Sequence, residues 1–208
     1  MCTLWKVRED GGVARQQQRE LAEGAARDAP LSGETYDELL ATGIRYASKE
    51  DHRRAAKALR EAIALRPDEP RAYACLGITL FHSAHYAEAA QRFLEASERF
   101  PVGSGRWAVA TARAFNMLTQ EACDKVAKPE WWNDEGLKAL SARVVRSAPD
   151  SVLAHQMRAF ALEAGPPSAA ELREAATHFE RAAALQTVPA MKAELAEDAD
   201  LFRLLAGM

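Results

Sequence analysis

The sequence predicts an all-α fold built from repeated helical pairs, and three observations carry that prediction. The chain resembles itself when shifted by 34 residues. Its apolar fraction, 48% of residues, is dominated by alanine, the best intrinsic helix former, whereas runs rich in Val, Ile and Thr that mark strands are missing. Prolines stand where the repeating segments end, and a proline cannot continue a helix.

The repeat is clearest from Tyr36 onward. The 34-residue shift aligns Gly43 with Gly77, Ala55 with Ala89, Ala56 with Ala90, Glu61 with Glu95, Ala62 with Ala96 and Pro67 with Pro101. Bulky residues match conservatively: Leu39 with Tyr73, Tyr46 with Leu80, Leu59 with Phe93. Each slot has a physical use. A glycine inside a helix costs about 1 kcal/mol against alanine and is expected where a paired helix packs close. Ala55, Ala62, Ala89 and Ala96 are expected to line that close contact, with Leu59 and Phe93 filling the wider space one turn along. Thr35 and Glu38 form a capping box that opens the first unit.

This period and these slots resemble the tetratricopeptide repeat (TPR) family, clearest over residues 36–103 and degenerate over 104–189. The resemblance implies a TPR-like right-handed helical-repeat solenoid. Its units would be 36–69, 70–103, 104–151 with an insertion, and 152–189, followed by a C-terminal capping helix over 190–208. In the third unit Trp107 keeps the register of Leu39 and Tyr73, but Thr111 replaces the glycine. Cys123 and Ala127 fit their slots; Glu130 and Glu135 do not. An insertion over 119–133, carrying Pro129 and the Trp131-Trp132 pair, is expected to separate the helices, with a helix resuming near Asn133 or Asp134 and running to Ser147.

In the fourth unit a helix is expected over 152–164, then a Gly165-Pro166-Pro167 break and a second capping box from Ser168 and Glu171. Ala175, Phe179 and Ala182 repeat the Ala–aromatic–Ala spacing. Pro189 opens the last helix, whose apolar side is expected to be Met191, Leu195, Leu201, Leu204 and Leu205. Residues 1–35 read as an N-terminal arm, partly helical over 13–27 or flexible.

In this family the first helix of each unit lines a concave surface where ligands bind. The corresponding stripe here is Leu40, Ile44 and Ala47, then Ala74, Ile78 and Phe81, then Ala108, Ala112 and Phe115. All nine are apolar and recur at i, i+4, i+7 on one helical face. A subset of the family grips chaperone C-terminal carboxylates with Lys, Arg and Asn at positions matching Leu40, Ile44, Ile78, Ala108 and Ala112. No basic or amide residue stands there, so that partner is not expected. The apolar stripe suits an amphipathic helix or apolar extended segment of a protein partner, oriented by the neighbouring His82 and Asn116. The chain's own arm or terminal helix could fill it instead, and a second copy could cover it. Trp131 and Trp132 offer a secondary contact or plug the gap left by the insertion.

Little else suggests chemistry. His82 and His85 are three apart at a helix end without a matching Cys. Cys123-Asp124 resembles no nucleophile signature, and Gly11-Gly12 and Gly103-Ser104-Gly105 punctuate turns without a preceding strand. No cofactor, metal or catalytic residue is expected, and no enzyme. Lys+Arg 27 against Asp+Glu 30, mixed along the chain, leaves no basic stripe for nucleic acid. Three scattered cysteines make no disulfide framework, and no signal or membrane-spanning run stands out, so a cytoplasmic protein is expected. The composite reading is a non-catalytic interaction scaffold or adaptor. Its rivals are a permanently integrated subunit of a larger complex and a regulatory fragment of a longer enzyme.

Overall fold

The computed structural model describes residues 35–207; the expected N-terminal arm lies outside them, apart from Thr35. Among the described residues there are nine α-helices and no strand. They are α1 (Tyr36–Ala47), α2 (His52–Leu65), α3 (Pro70–His82), α4 (Tyr86–Arg99), α5 (Gly105–Leu118), α6 (Asp134–Ser147), α7 (Val152–Leu162), α8 (Ala169–Leu185) and α9 (Pro189–Gly207). A single 3₁₀ turn, Glu121–Cys123, stands between α5 and α6. Each helix packs on the next in sequence order, with additional contacts of α1 with α3 and α5 with α7.

Local chemistry sets most boundaries. Thr35 accepts from the Glu38 backbone N–H while the Glu38 carboxylate takes the Thr35 N–H, and Ser168 with Glu171 repeats that arrangement at α8. Pro67 and Pro101 follow the ends of α2 and α4 at Leu65 and Arg99. Helix α7 stops at Leu162, short of the expected 164, as the chain turns through Gly165 at φ +74°.

The 34-residue spacing reappears in the backbone. Asp51 N–H donates to the Tyr46 carbonyl and His85 N–H to that of Leu80, while Glu50 and Ala84 N–H groups donate to Ala47 and Phe81. These are paired Schellman turns, and the residue just past each helix end is left-handed: Glu50 at φ 60° and Ala84 at φ 61°. Neither is glycine, so each carries a Cβ where it is disfavoured. Ala84→Gly, at an exposed position, is expected to stabilise the protein by about 0.5–1 kcal/mol, seen as a higher urea midpoint.

Gly43 and Gly77 do mark close helix approach, but their neighbours differ from the expectation. A Cβ on Gly43 would lie 2.6 Å from Leu59 Cγ, and one on Gly77 would lie 2.8 Å from Phe93 Cε1. The space is filled by the bulky residues themselves, with the alanines Ala55, Ala62, Ala89 and Ala96 buried around them.

The core divides into three clusters along the chain. The first joins α1–α4 to the end of α5 and the 3₁₀ turn, through Leu39, Leu59, Leu76, Phe93, Leu118 and Cys123. The second is centred on Trp107, Phe115, Val144 and Met157, and the third on Phe179, Leu195 and Phe202. At α9 the expected apolar side is corrected: Leu195, Ala199, Phe202 and Ala206 are buried, whereas Met191, Leu201, Leu204 and Leu205 face outward. The 4-3-4 spacing of the buried set follows the helical repeat and uses two alanines that allow close approach to α8.

Candidate partner-binding groove

The nine-residue stripe is placed on α1, α3 and α5, but its exposure falls steadily along the chain. On α1, Leu40 is buried, Ala47 is half-buried and Ile44 is 44% exposed. On α3, Ala74, Ile78 and Phe81 are all half-buried. On α5, Ala108, Ala112 and Phe115 are buried, which corrects the expectation of an open surface there. Leu40 belongs to the first core with Ile78 and Phe81 packed against it, whereas Ala108, Ala112 and Phe115 belong to the second with Ala74 against it. The stripe is therefore an open end and a closed end rather than one continuous trough.

At the closed end the segment between α5 and α6 packs on Phe115. The Trp132 ring lies 5.5 Å from that of Phe115 and 5.7 Å from that of Trp131, and both indoles pack against the first and second cores. Several polar contacts fix this segment. Lys128 Nζ lies 4.8 Å from the Trp132 ring centre and donates to the Leu118 carbonyl at 2.5 Å, capping the end of α5. Trp132 N–H donates to Pro129, and Asn133 N–H to Trp131. The Asn133 side chain donates to the Glu130 carbonyl and accepts from Gly136 N–H, each at 2.9 Å, which starts α6. Gly136 is needed for this: a Cβ there would meet the Trp131 carbonyl oxygen at 2.6 Å.

The open end has a feature that hydrophobic periodicity did not reveal. The ends of α1 and α3 and the starts of α2 and α4 bring several rings together at its edge. His82, which is exposed, stacks on His52 with ring centres 6.0 Å apart. Phe81 meets His82 edge-on at 5.3 Å and Tyr86 at 5.9 Å. Tyr46 is flanked by the guanidinium groups of Arg45 and Arg54, each 5.7 Å from its centre. The Nδ1 of His52 is buried and has no hydrogen-bond partner among the described residues. The 34-residue relation of His52 to Tyr86 was the available signal, because equivalent turns of successive units lie side by side. Asn116 is half-buried on α5, and its carbonyl accepts from Thr119 and Gln120.

Cys75 and Cys123 are free thiols, and desolvation pushes both above the ordinary thiol range. Burial makes them weak nucleophiles at neutral pH. Among the described residues no three His, Cys, Asp or Glu side chains gather as a metal site, His82 and His85 included; the His85 ring instead contacts the Ser83 carbonyl at 2.8 Å. No helix among the described residues is long and apolar enough to cross a membrane. Compared with known proteins, the chain matches no family model and no curated protein.

Proposed function

We propose that this chain is a non-catalytic protein-binding module of the TPR-like solenoid type, which holds an apolar segment of a protein partner at the open end of its stripe. The observation that carries this reading is the apolar surface left open on two helices that touch: Ile44 of α1 is exposed, and Ala47 of α1 and Ile78 and Phe81 of α3 are half-buried, with His82 and Tyr86 against Phe81 and His52 against His82. A cluster of aromatic and aliphatic anchors is the kind of centre that a protein interface buries. The recurrence of Schellman turns and glycine contacts at the repeat spacing supports the TPR-like assignment. The partner surface is narrower than the full stripe: Ala108, Ala112 and Phe115 are buried, Phe115 with the Trp132 ring against it.

Ile44→Glu is the discriminating variant, because the side chain is exposed and the change leaves the core untouched. Partner capture from native extract is expected to fall at least tenfold, as a carboxylate must be desolvated against apolar surface. Leu204→Glu, on an outward face of α9, serves as the comparison and is expected to leave the same capture intact. Equal capture by Ile44→Glu and wild type would sink this reading.

A second reading, a permanently integrated subunit of a larger complex, draws on α9. Leu201, Leu204 and Leu205 are all exposed there, Leu204 by 65%. If Leu204→Glu rather than Ile44→Glu releases a stoichiometric partner, the terminal helix is the seat of assembly.

A further inference from the structure

Two histidines on neighbouring helices face each other nitrogen to nitrogen. His155 of α7 is buried, and its Nε2 lies 2.9 Å from the Pro149 carbonyl oxygen. A carbonyl only accepts, so this nitrogen carries hydrogen. Its other nitrogen, Nδ1, lies 2.8 Å from Nδ1 of His178 on α8. That separation requires one N–H and one lone pair between the rings. On the far side of His178, Nε2 stands 3.7 Å from Glu174 Oε1, which Arg158 also holds through two donors at 2.6 and 3.0 Å.

Counting hydrogens limits the charge that the pair can bear. Two neutral rings carry two: one serves Pro149 and the other bridges the two Nδ1 atoms. A third fits on His178 Nε2, facing the Glu174 carboxylate. A fourth has only the Nδ1 contact left to occupy, where two N–H groups of like charge would meet head to head with no acceptor between them. We propose that His155 and His178 form a proton-limited latch between α7 and α8, closed with at most one added proton and opened by the second, so that mild acid loosens the packing of these helices.

The surroundings work in the same direction. Burial, then the His155 charge, hold His178 below the ordinary imidazole range; Arg158 adds to this and Glu174 opposes it. Around the pair, Arg181 of α8 is tied to Asp150 beside Pro149. From α6, Lys138 pairs with Glu171 and Arg143 lies over Trp107, while Arg146 is exposed. On α5, Arg113 lies over Phe93 and Arg106 is exposed. From α9, Arg203 pairs with Glu180, and Asp198 interacts with Glu163 at the end of α7. Among these groups, only Glu174 stands within reach to accept the third hydrogen.

The sign follows from proton counts. An imidazole in an unfolded chain titrates near 6.5, so at pH 5 the unfolded chain binds two protons at these positions where the closed latch admits at most one. Stability contributed by the latch is complete above about pH 7 and declines as pH falls below the unfolded value.

The test compares urea unfolding of the full chain between pH 7 and pH 5 with that of His178→Gln, whose amide keeps a hydrogen bond without titrating. With the amide oxygen turned to accept from a protonated His155, the variant takes up no extra proton on unfolding, so the unfolding equilibrium constant of wild type is expected to rise about thirtyfold more than that of the variant, the weight of one proton over about 1.5 pH units. Parallel profiles overturn the latch. Nitrogen-15 NMR of the two rings in folded wild type decides independently of any variant. The expected result is a pair that takes up at most one proton down to about pH 5; two imidazolium rings coexisting there in the folded protein overturn it.

Discussion

Replacing Phe93 by alanine is expected to cost about 3–5 kcal/mol, close to the whole stability of a small domain. Phe93 is 1% exposed, and its ring fills the volume left by the missing Cβ of Gly77. It also lies beneath the partly buried Arg113 guanidinium, 5.7 Å from the ring centre, and the substitution removes that contact too. The same geometry predicts a change of sign at Gly77. In wild type, Gly77→Ala drives a Cβ to 2.8–3.0 Å from three ring atoms and is expected to destabilise by about 1–3 kcal/mol. In the Phe93→Ala background the ring is gone, and alanine should instead stabilise by up to about 1 kcal/mol through helix propensity. Urea unfolding of the four chains measures the coupling, and additive effects would show that glycine serves some purpose other than admitting the ring.

Trp132→Ala is expected to remove about 2–4 kcal/mol and to uncover the closed end of the stripe. The indole is half-buried, which places it below a fully enclosed tryptophan, but it contacts Phe115 and Lys128 and belongs to two core regions at once. Its removal should expose Phe115 to solvent and raise the binding of an apolar dye to the folded protein. Gly136→Ala attacks the same structure from behind, since its Cβ collides with the Trp131 backbone, which cannot change rotamer. If both variants retain wild-type stability within about 0.5 kcal/mol and bind no additional dye, the tryptophan segment is not what seals that end.

The open end and the closed end were unequally legible in the sequence. Close approach at Gly43 and Gly77 could be read from the period, and the capping residues Thr35 and Ser168 from local chemistry, whereas the partners of those glycines could not: Leu59 and Phe93, not the alanines, fill the space. What periodicity cannot state is which of two apolar faces a neighbour covers. Ala108, Ala112 and Phe115 have the same pattern as Leu40, Ile44 and Ala47, yet all three are buried, and Trp132 from the chain between α5 and α6 packs on Phe115. Helix α9 shows the same limit. It has apolar residues around much of its circumference, and the side chosen for burial was the one whose alanines let it approach α8. Of the expected apolar side only Leu195 is buried. The His155–His178 contact was invisible for another reason: two isolated histidines 23 residues apart carry no sequence signal until two helices bring them together.

The 3₁₀ turn at Glu121–Cys123 has a consequence for how disturbance travels through the molecule. Cys123 falls one period after Ala89 and is buried as that register requires, but the helix it should begin ends within a single turn. Helical pairing then restarts at Asp134 with a new phase, much as a crystal resumes growth across a stacking fault. In an array where each helix chiefly feels its neighbours, such a fault interrupts nearest-neighbour cooperativity. Fraying that starts at α9 or at α1 therefore meets a boundary at this turn. Helix α5, Ile63 and the two indoles are what tie the cores on either side of it together.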